Sequence, residues 1–283
     1  MKHAEAGLKR SEGPIGVFDS GVGGLSVARE VKSLMPYEDI LYIGDNANVP
    51  YGPRPKDQII DLSSAISEYL IQEHAKIIVV ACNTASGAAL YSLRKKFPEI
   101  SFIGMEPAIK PASASTHTGV IGVLATPNTF SGELYASTLH RFAVDKRVLE
   151  DPCLGLVQQV ENGELDSLAT REILNRALKP MLEAGADTIV MGCTHYPFVL
   201  PLIREIVGEN VALINPAPAV ARQTETVLKR ENKVRLDLTR LGSIKLITTG
   251  NKTDFEELVE KISPHDFNGA YYEKLTWKDG KLS

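Results

Sequence analysis

The sequence predicts an α/β fold in two similar halves, each with a mainly parallel sheet. Three observations predict it. Short apolar runs alternate with amphipathic stretches along the chain, the pattern of strands joined by crossover helices. Two of these runs end in matched cysteine segments, Ile77-Ile78-Val79-Val80-Ala81-Cys82-Asn83-Thr84 and Thr188-Ile189-Val190-Met191-Gly192-Cys193-Thr194-His195. The chain also resembles itself at a nearly constant offset. Gly16-Val17-Phe18-Asp19-Ser20 is similar to Gly122-Val123-Leu124-Ala125-Thr126, 106 residues on, and Cys193 follows Cys82 by 111. That period is far longer than a solenoid repeat.

In order, strands are expected at Ile15–Asp19, Ile40–Gly44, Ile77–Cys82, Phe102–Met105, Val120–Leu124, Arg147–Leu149, Thr188–Cys193, Val211–Ile214 and Ile244–Thr248. Their β-branched, uninterrupted apolar character suits strands buried on both faces. A helical run follows the first strand from Leu25 to Met35. Ile59, Leu62, Ile66, Tyr69 and Leu70 recur at helical spacing, as do Leu168, Ile173, Leu174, Leu178, Met181 and Leu182. Proline-containing breaks near Met105-Glu106-Pro107 and Asn215-Pro216-Ala217-Pro218 divide the chain. Residues 14–106 and 217–283 make a first, discontinuous α/β domain, and 107–216 the second. The polar stretch 1–13 reads as a flexible leader.

Composition narrows the function. The chain has 283 residues, enough for a large core, and is 43% hydrophobic and 23% charged. Its net charge of −4 gives no electrostatic case for a nucleic-acid or membrane surface. No apolar run approaches the roughly 18 residues of a membrane span. Three cysteines, Cys82, Cys153 and Cys193, fit no disulfide framework, so a reducing cytoplasm is the natural home.

Both Cys82 and Cys193 fall just past a strand's carboxyl end, where open α/β sheets place their ligand crevices. A buried Cys is usually an inert small hydrophobe, but two in equivalent places suggest one site worked from two sides. A disulfide would need the Cα atoms within about 7 Å. A zinc site of Cys82, Cys153, Cys193 and His195 has suitable ligand types, although its spacing is not that of a zinc knuckle and a metal has no need of the flanking Asn and Thr residues. Two-base proton transfer needs an acid–base group on each face of a flat carbanion, requires no cofactor, and suits thiols because they exchange roles. A helix N-terminus at each junction would lower the thiol pKa. His195 is close enough in sequence to tune Cys193, and Asp19 could serve Cys82.

Asp19-Ser20-Gly21-Val22-Gly23-Gly24 is either an anion-binding turn carrying an acid or a tight βα turn with Asp19 as its cap. Asp45-Asn46-Ala47-Asn48-Val49-Pro50-Tyr51-Gly52-Pro53 reads as a turn-rich loop at the same sheet edge. Glu161, at the end of Leu156-Val157-Gln158-Gln159-Val160, reads by itself as a solvated carboxylate. Cys153 reads as structural.

With these segments in view the chain resembles the glutamate racemases of the cofactor-independent aspartate/glutamate racemase superfamily. Val17-Phe18-Asp19-Ser20-Gly21-Val22-Gly23-Gly24-Leu25-Ser26-Val27, Val49-Pro50-Tyr51-Gly52, Ala81-Cys82-Asn83-Thr84-Ala85-Ser86, Gly122-Val123-Leu124-Ala125-Thr126 and Gly192-Cys193-Thr194-His195-Tyr196-Pro197 carry the resemblance. It implies interconversion of L- and D-glutamate, supplying D-glutamate for peptidoglycan. It implies two α/β domains facing each other across the site, and a chain that is commonly a homodimer. On that pattern Cys193 takes the α-proton of L-glutamate and Cys82 protonates the opposite face. Asp19 assists Cys82, and His195 and Glu161 assist Cys193. Asp19, Ser20, Tyr51, Gly52, Asn83, Thr84, Thr126, Thr194 and His195 form the substrate-binding set, with no metal or cofactor. The chain departs from the family at Cys153-Leu154, commonly Cys-Pro, and at Asn215-Pro216, where Asp-Ser is frequent.

Overall fold

The structure, a computed structural model, describes residues 11–283. Most of the expected flexible leader lies outside the described residues, but its end is not loose. Ser11 is buried, and its carbonyl accepts a hydrogen bond from Lys76 Nζ at 2.7 Å. Gly13 abuts the His74 carbonyl, where a Cβ would collide. The buried Lys76 ammonium requires acceptors, and it finds them in Ser11 and in the Glu38 carboxylate.

The first domain is a six-stranded parallel sheet. It contains β1 (Ile15–Asp19), β2 (Ile40–Gly44), β3 (Ile77–Val80), β4 (Phe102–Gly104), β9 (Ile244–Thr248) and β10 (Tyr271–Lys274), in the order β10-β9-β2-β1-β3-β4. The second is a four-stranded parallel sheet of β5 (Val120–Leu124), β6 (Arg147–Asp151), β7 (Thr188–Met191) and β8 (Ala212–Ile214), in the order β6-β5-β7-β8. The order β2-β1-β3-β4 in the first domain thus recurs as β6-β5-β7-β8 in the second, the topological form of the internal resemblance. In each sheet the chain switches direction on either side of the first strand, leaving a crevice between β1 and β3 and another between β5 and β7.

The expected strands at Ile15–Asp19, Ile40–Gly44, Val120–Leu124 and Ile244–Thr248 form with those bounds. Both cysteine strands end two residues earlier than expected, at Val80 and Met191, so the thiols stand on the connections. Three C-terminal strands escape the apolar-run criterion. β10 (Tyr-Tyr-Glu-Lys) is an edge strand with no apolar run. β11 (Trp277–Lys278) and β12 (Lys281–Leu282) form an antiparallel hairpin. Its turn, Asp279-Gly280, has positive φ at both residues, 49° and 74°, the geometry for which Asp-Gly is the characteristic hairpin signal.

The helix Leu25–Leu34 follows β1 and buries Leu25, Val27, Ala28 and Val31. One apolar cluster continues from these residues into Leu156, Val160, Cys193 and Tyr196 of the second domain. Burying a Leu or Val side chain contributes about 1.5–3 kcal/mol, so the two domains are held face to face by core packing as well as by polar contacts.

Candidate active site

The carboxyl edges of the two sheets meet, and each brings a thiol. Cys82 caps the N-terminus of the helix Asn83–Lys96, and its Sγ accepts the Ala85 N–H at 3.4 Å. Its own proton points to Ser20 Oγ, 4.0 Å away. The expected lowering of this thiol's pKa by the helix end is present but outweighed. Burial is the largest influence and pushes it far up, the Asp19 charge adds to the rise, and the Ala85 N–H offsets only part. Cys82 rests as a neutral thiol.

Cys193 is built differently. The chain after β7 enters a 3₁₀ turn, Tyr196–Val199, and no α-helix begins at the thiol. Cys193 Sγ lies 3.6 Å from His195 Nδ1, and His195 Nε2 lies 2.6 Å from Glu161 Oε1. The imidazole and carboxylate side chains are 3% and 6% exposed, so this ion pair is shielded from water. Burial opposes a charged imidazole, but Cys193 and Glu161 on its two nitrogens prevail and hold the His195 pKa well above the ordinary value. Glu161 is therefore no solvated surface carboxylate.

The glycine turn after β1 does hold an anion, and that anion is Glu161. Val22 N–H donates to Glu161 Oε1 at 2.8 Å. A Cβ at Gly21 would overlap the same carboxylate, and one at Gly23 would come within 2.5 Å of His195 Nδ1 and 2.6 Å of Thr194 Oγ1. Glycine is needed here so that the second domain's side chains can reach the first domain's backbone.

Asp19 is fully buried at the end of β1. Its carboxylate accepts the Gly21 N–H at 3.0 Å and the Thr194 hydroxyl at 3.0 Å. Burial raises its pKa against the pull of the His195 charge and the Gly21 N–H. No hydrogen bond joins it to Cys82 among those of the described residues. Its reach to that thiol is electrostatic, and its direct partner is the neighbour of the other thiol.

Between the thiols lies a tight cavity of about 20 Å³. Cys82, Cys193, Ser20, Tyr51, Gly52, Asn83, Thr84, Thr126, Thr194 and His195 line it, with Pro50, Val157 and Gly192. Asp19 and Glu161 stand behind this wall. Thr84 and Thr126 face each other across the domains with hydroxyls 2.9 Å apart. Both polar atoms of the Asn83 side chain are buried without a partner, a cost that a ligand's charged groups would relieve.

Three contributors were not legible in the sequence. Asp45, fully buried, accepts the Tyr51 hydroxyl at 2.6 Å, the Thr249 hydroxyl at 2.7 Å and the Trp277 indole N–H at 2.8 Å. The turn-rich loop after β2 thus fixes a cavity residue, with the C-terminal hairpin as its support. Asn46 donates to Glu161 Oε2 at 3.1 Å. Tyr42 donates to the Gly21 carbonyl at 2.6 Å and steadies the glycine turn. The only sequence signal for the first of these was an acid directly following a strand end.

All three cysteines are free. Cys153 is packed in the apolar cluster and lies away from the cavity lining. Among the described residues no group of three or more His, Cys, Asp or Glu is placed to hold a metal ion, so the four proposed zinc ligands do not converge. No helix among these residues is long and apolar enough to cross a membrane.

The sequence profile described as Asp/Glu/Hydantoin racemase matches residues 25–224. A glutamate racemase from Roseiflexus sp. is 46% identical over 253 residues, 89% of this chain and 93% of its own length. One from Pseudomonas aeruginosa is 49% identical over 214 residues, 76% of this chain and 81% of its own. Among solved structures, the glutamate racemase isoform RacE1 of Bacillus anthracis superposes with a TM-score of 0.83 at 33% identity, covering 96% of this chain and 99% of that one. The Escherichia coli glutamate racemase, solved with L-glutamate and the activator UDP-MurNAc-ala, superposes at 0.81 with 31% identity over 93% and 98% of the two chains. By sequence and by fold this chain is an amino-acid racemase, and it belongs to the Asp/Glu/Hydantoin racemase family on its glutamate racemase branch.

Proposed function

We propose that the protein interconverts L- and D-glutamate by direct proton transfer between two thiols, without a cofactor, and that its D-glutamate supplies peptidoglycan synthesis in the cytoplasm. The observation that carries the mechanism is the pair of unlike thiols on one cavity, Cys82 against Ser20 and Cys193 against His195. Removing the α-proton needs a base on one face of the carbon. Returning it needs an acid on the other. The His195 imidazolium, held by Glu161, sets a positive charge 3.6 Å from Cys193 Sγ, while burial keeps Cys82 protonated. That arrangement suits L-glutamate: Cys193 takes the proton, and Cys82 delivers its own to the opposite face. D-glutamate requires both thiols in the reverse states, and the Asp19 charge bears on Cys82.

Asn83, with its unpartnered amide, and the hydroxyls of Ser20, Thr84, Thr126 and Thr194 supply hydrogen bonds for two carboxylates and an ammonium. Donors on the α-carboxylate would stabilise the charge that grows there as the proton leaves.

The test is circular dichroism of purified protein with either enantiomer. Each should decay to the racemate without additives, and in deuterated water the product should carry α-deuterium. Cys82→Ala and Cys193→Ala should each abolish racemisation, whereas Cys153→Ala should retain it. Retained turnover in either of the first two would exclude the two-thiol mechanism. Comparing kcat/KM for glutamate and aspartate tests the substrate.

A further inference from the structure

Glu161 divides its two oxygens between two tasks. Oε1 accepts His195 Nε2 and the Val22 N–H, while Oε2 accepts Asn46 Nδ2 at 3.1 Å. Asn46 is itself oriented, because its Oδ1 accepts the Thr248 hydroxyl at 2.8 Å at the end of β9. The carboxylate settles which end of the amide faces it: it can only accept, so the NH₂ turns to Glu161, and the Thr248 hydroxyl, which can donate, takes the oxygen. The first domain therefore grips the second domain's carboxylate through the chain Thr248–Asn46–Glu161–His195–Cys193. Asn46 is absent from the cavity lining and touches no substrate-facing atom.

We propose that Asn46 is a positioning residue for the Cys193 half of the reaction, acting through Glu161. The assignment rests on the two-thiol mechanism above. The physical reason lies in rotation. A carboxylate held at one oxygen can turn about its Cγ–Cδ bond. Anchoring Oε2 stops that turn, fixing Oε1 against His195 and the imidazole against the thiol. Reacting groups lose rate steeply when displaced by even 1 Å. Since Asn46 meets the substrate only through three intermediaries, its loss should lower kcat and leave KM unchanged.

The test is Asn46→Asp beside Asn46→Ala, each assayed at pH 8 in both directions and each placed in a Glu161→Gln background. Asn46→Asp keeps the shape and the Thr248 acceptor, but replaces the donor with a second carboxylate facing Glu161. A role in shape alone makes Asp the milder change. A positioning role makes it the harsher one. We expect kcat to fall roughly tenfold in Asn46→Ala and further in Asn46→Asp, the scale of one hydrogen bond to a charged group. KM should stay within about twofold of its starting value, within the ordinary scatter of such comparisons. In the Glu161→Gln background either substitution should add little, because the carboxylate they steer is gone. A normal melting transition for Asn46→Asp shows that the variant is folded. The inference fails if Asn46→Asp turns over like the parent, if KM rises in place of a kcat loss, or if its effect adds fully to that of Glu161→Gln. If Glu161→Gln itself leaves kcat intact, the Cys193 relay fails as well, which separates the two readings.

Discussion

Thr194 Oγ1 of the second domain donates to Asp19 Oδ2 of the first at 3.0 Å. The residue beside one thiol is thus bonded to the acid whose charge bears on the other. The two walls are not independent: a change at Asp19 alters the seat of Thr194, and a change at Thr194 strands a buried carboxylate.

Asp19→Asn should therefore affect both directions. It removes the charge that raises the Cys82 pKa and weakens the acceptor for Thr194. Loss of a proton-transfer partner costs about 10²–10⁴-fold, and as an indirect partner Asp19 should fall near the lower end. Steady-state kcat with each enantiomer checks this. A variant impaired with one enantiomer in kcat/KM but not the other would violate the equilibrium between mirror images and would indicate an assay artefact.

Gly23→Ala should fold and fail. Its Cβ would meet His195 Nδ1 at 2.5 Å and Thr194 Oγ1 at 2.6 Å, so both side chains must move. Overpacking of this kind costs about 1–3 kcal/mol of stability. Displacing the imidazole from Cys193 should lower kcat about 10²-fold. Thermal denaturation and turnover, measured together, distinguish this from simple unfolding.

The His195–Glu161 pair should carry a pH-dependent share of stability. Although burial opposes it, contact with Cys193 and Glu161 raises the folded pKa of His195 above its unfolded value of about 6.5. A raised pKa means protonation favours the folded state. The contribution is complete below pH of about 6.5 and is lost as pH rises through the folded pKa. The stability advantage of the parent over His195→Gln should thus be largest near pH 6 and shrink in alkaline buffer. Urea denaturation of both proteins across that range measures it, and an advantage that grows with pH would contradict the assignment.

Trp277→Phe should loosen the cavity from a distance. The indole N–H is one of several donors on the buried Asp45 carboxylate, which in turn holds the Tyr51 hydroxyl. Losing a hydrogen bond to a charged, buried group costs about 1–3 kcal/mol. The melting temperature should fall, and KM should rise as Tyr51 loses its anchor. An unchanged KM would show that the hairpin supports the fold alone.

The parts legible in the sequence are those that depend on local pattern. Apolar runs announced the strands that carry the thiols, and the matched segments announced two equivalent walls. The strand ends were read two residues long at Cys82 and Cys193 because an apolar run does not show where ladder hydrogen bonding stops. β10 was missed because an edge strand can be polar. Asp279-Gly280 is a hairpin signal, but the two-residue strands it joins are too short to form apolar runs.

The sequence by itself determined the α/β class, the internal duplication and the chemistry-bearing residues, because each of these is written in periodicity or in short motifs. Glu161 was placed at the site only by the family resemblance, its own segment reading as a solvated carboxylate, and nothing in the sequence assigned Asp45, Asn46 and Trp277 to the site. Those roles exist only where separate stretches converge: the glycine turn of one domain on the carboxylate of the other, and a C-terminal hairpin on a loop more than two hundred residues earlier. Burial then decided the proton states. It drove Cys82 toward the thiol despite its helix end, and left His195 charged only because two partners flank it. Desolvation is a property of the packed environment, so no local pattern can state it.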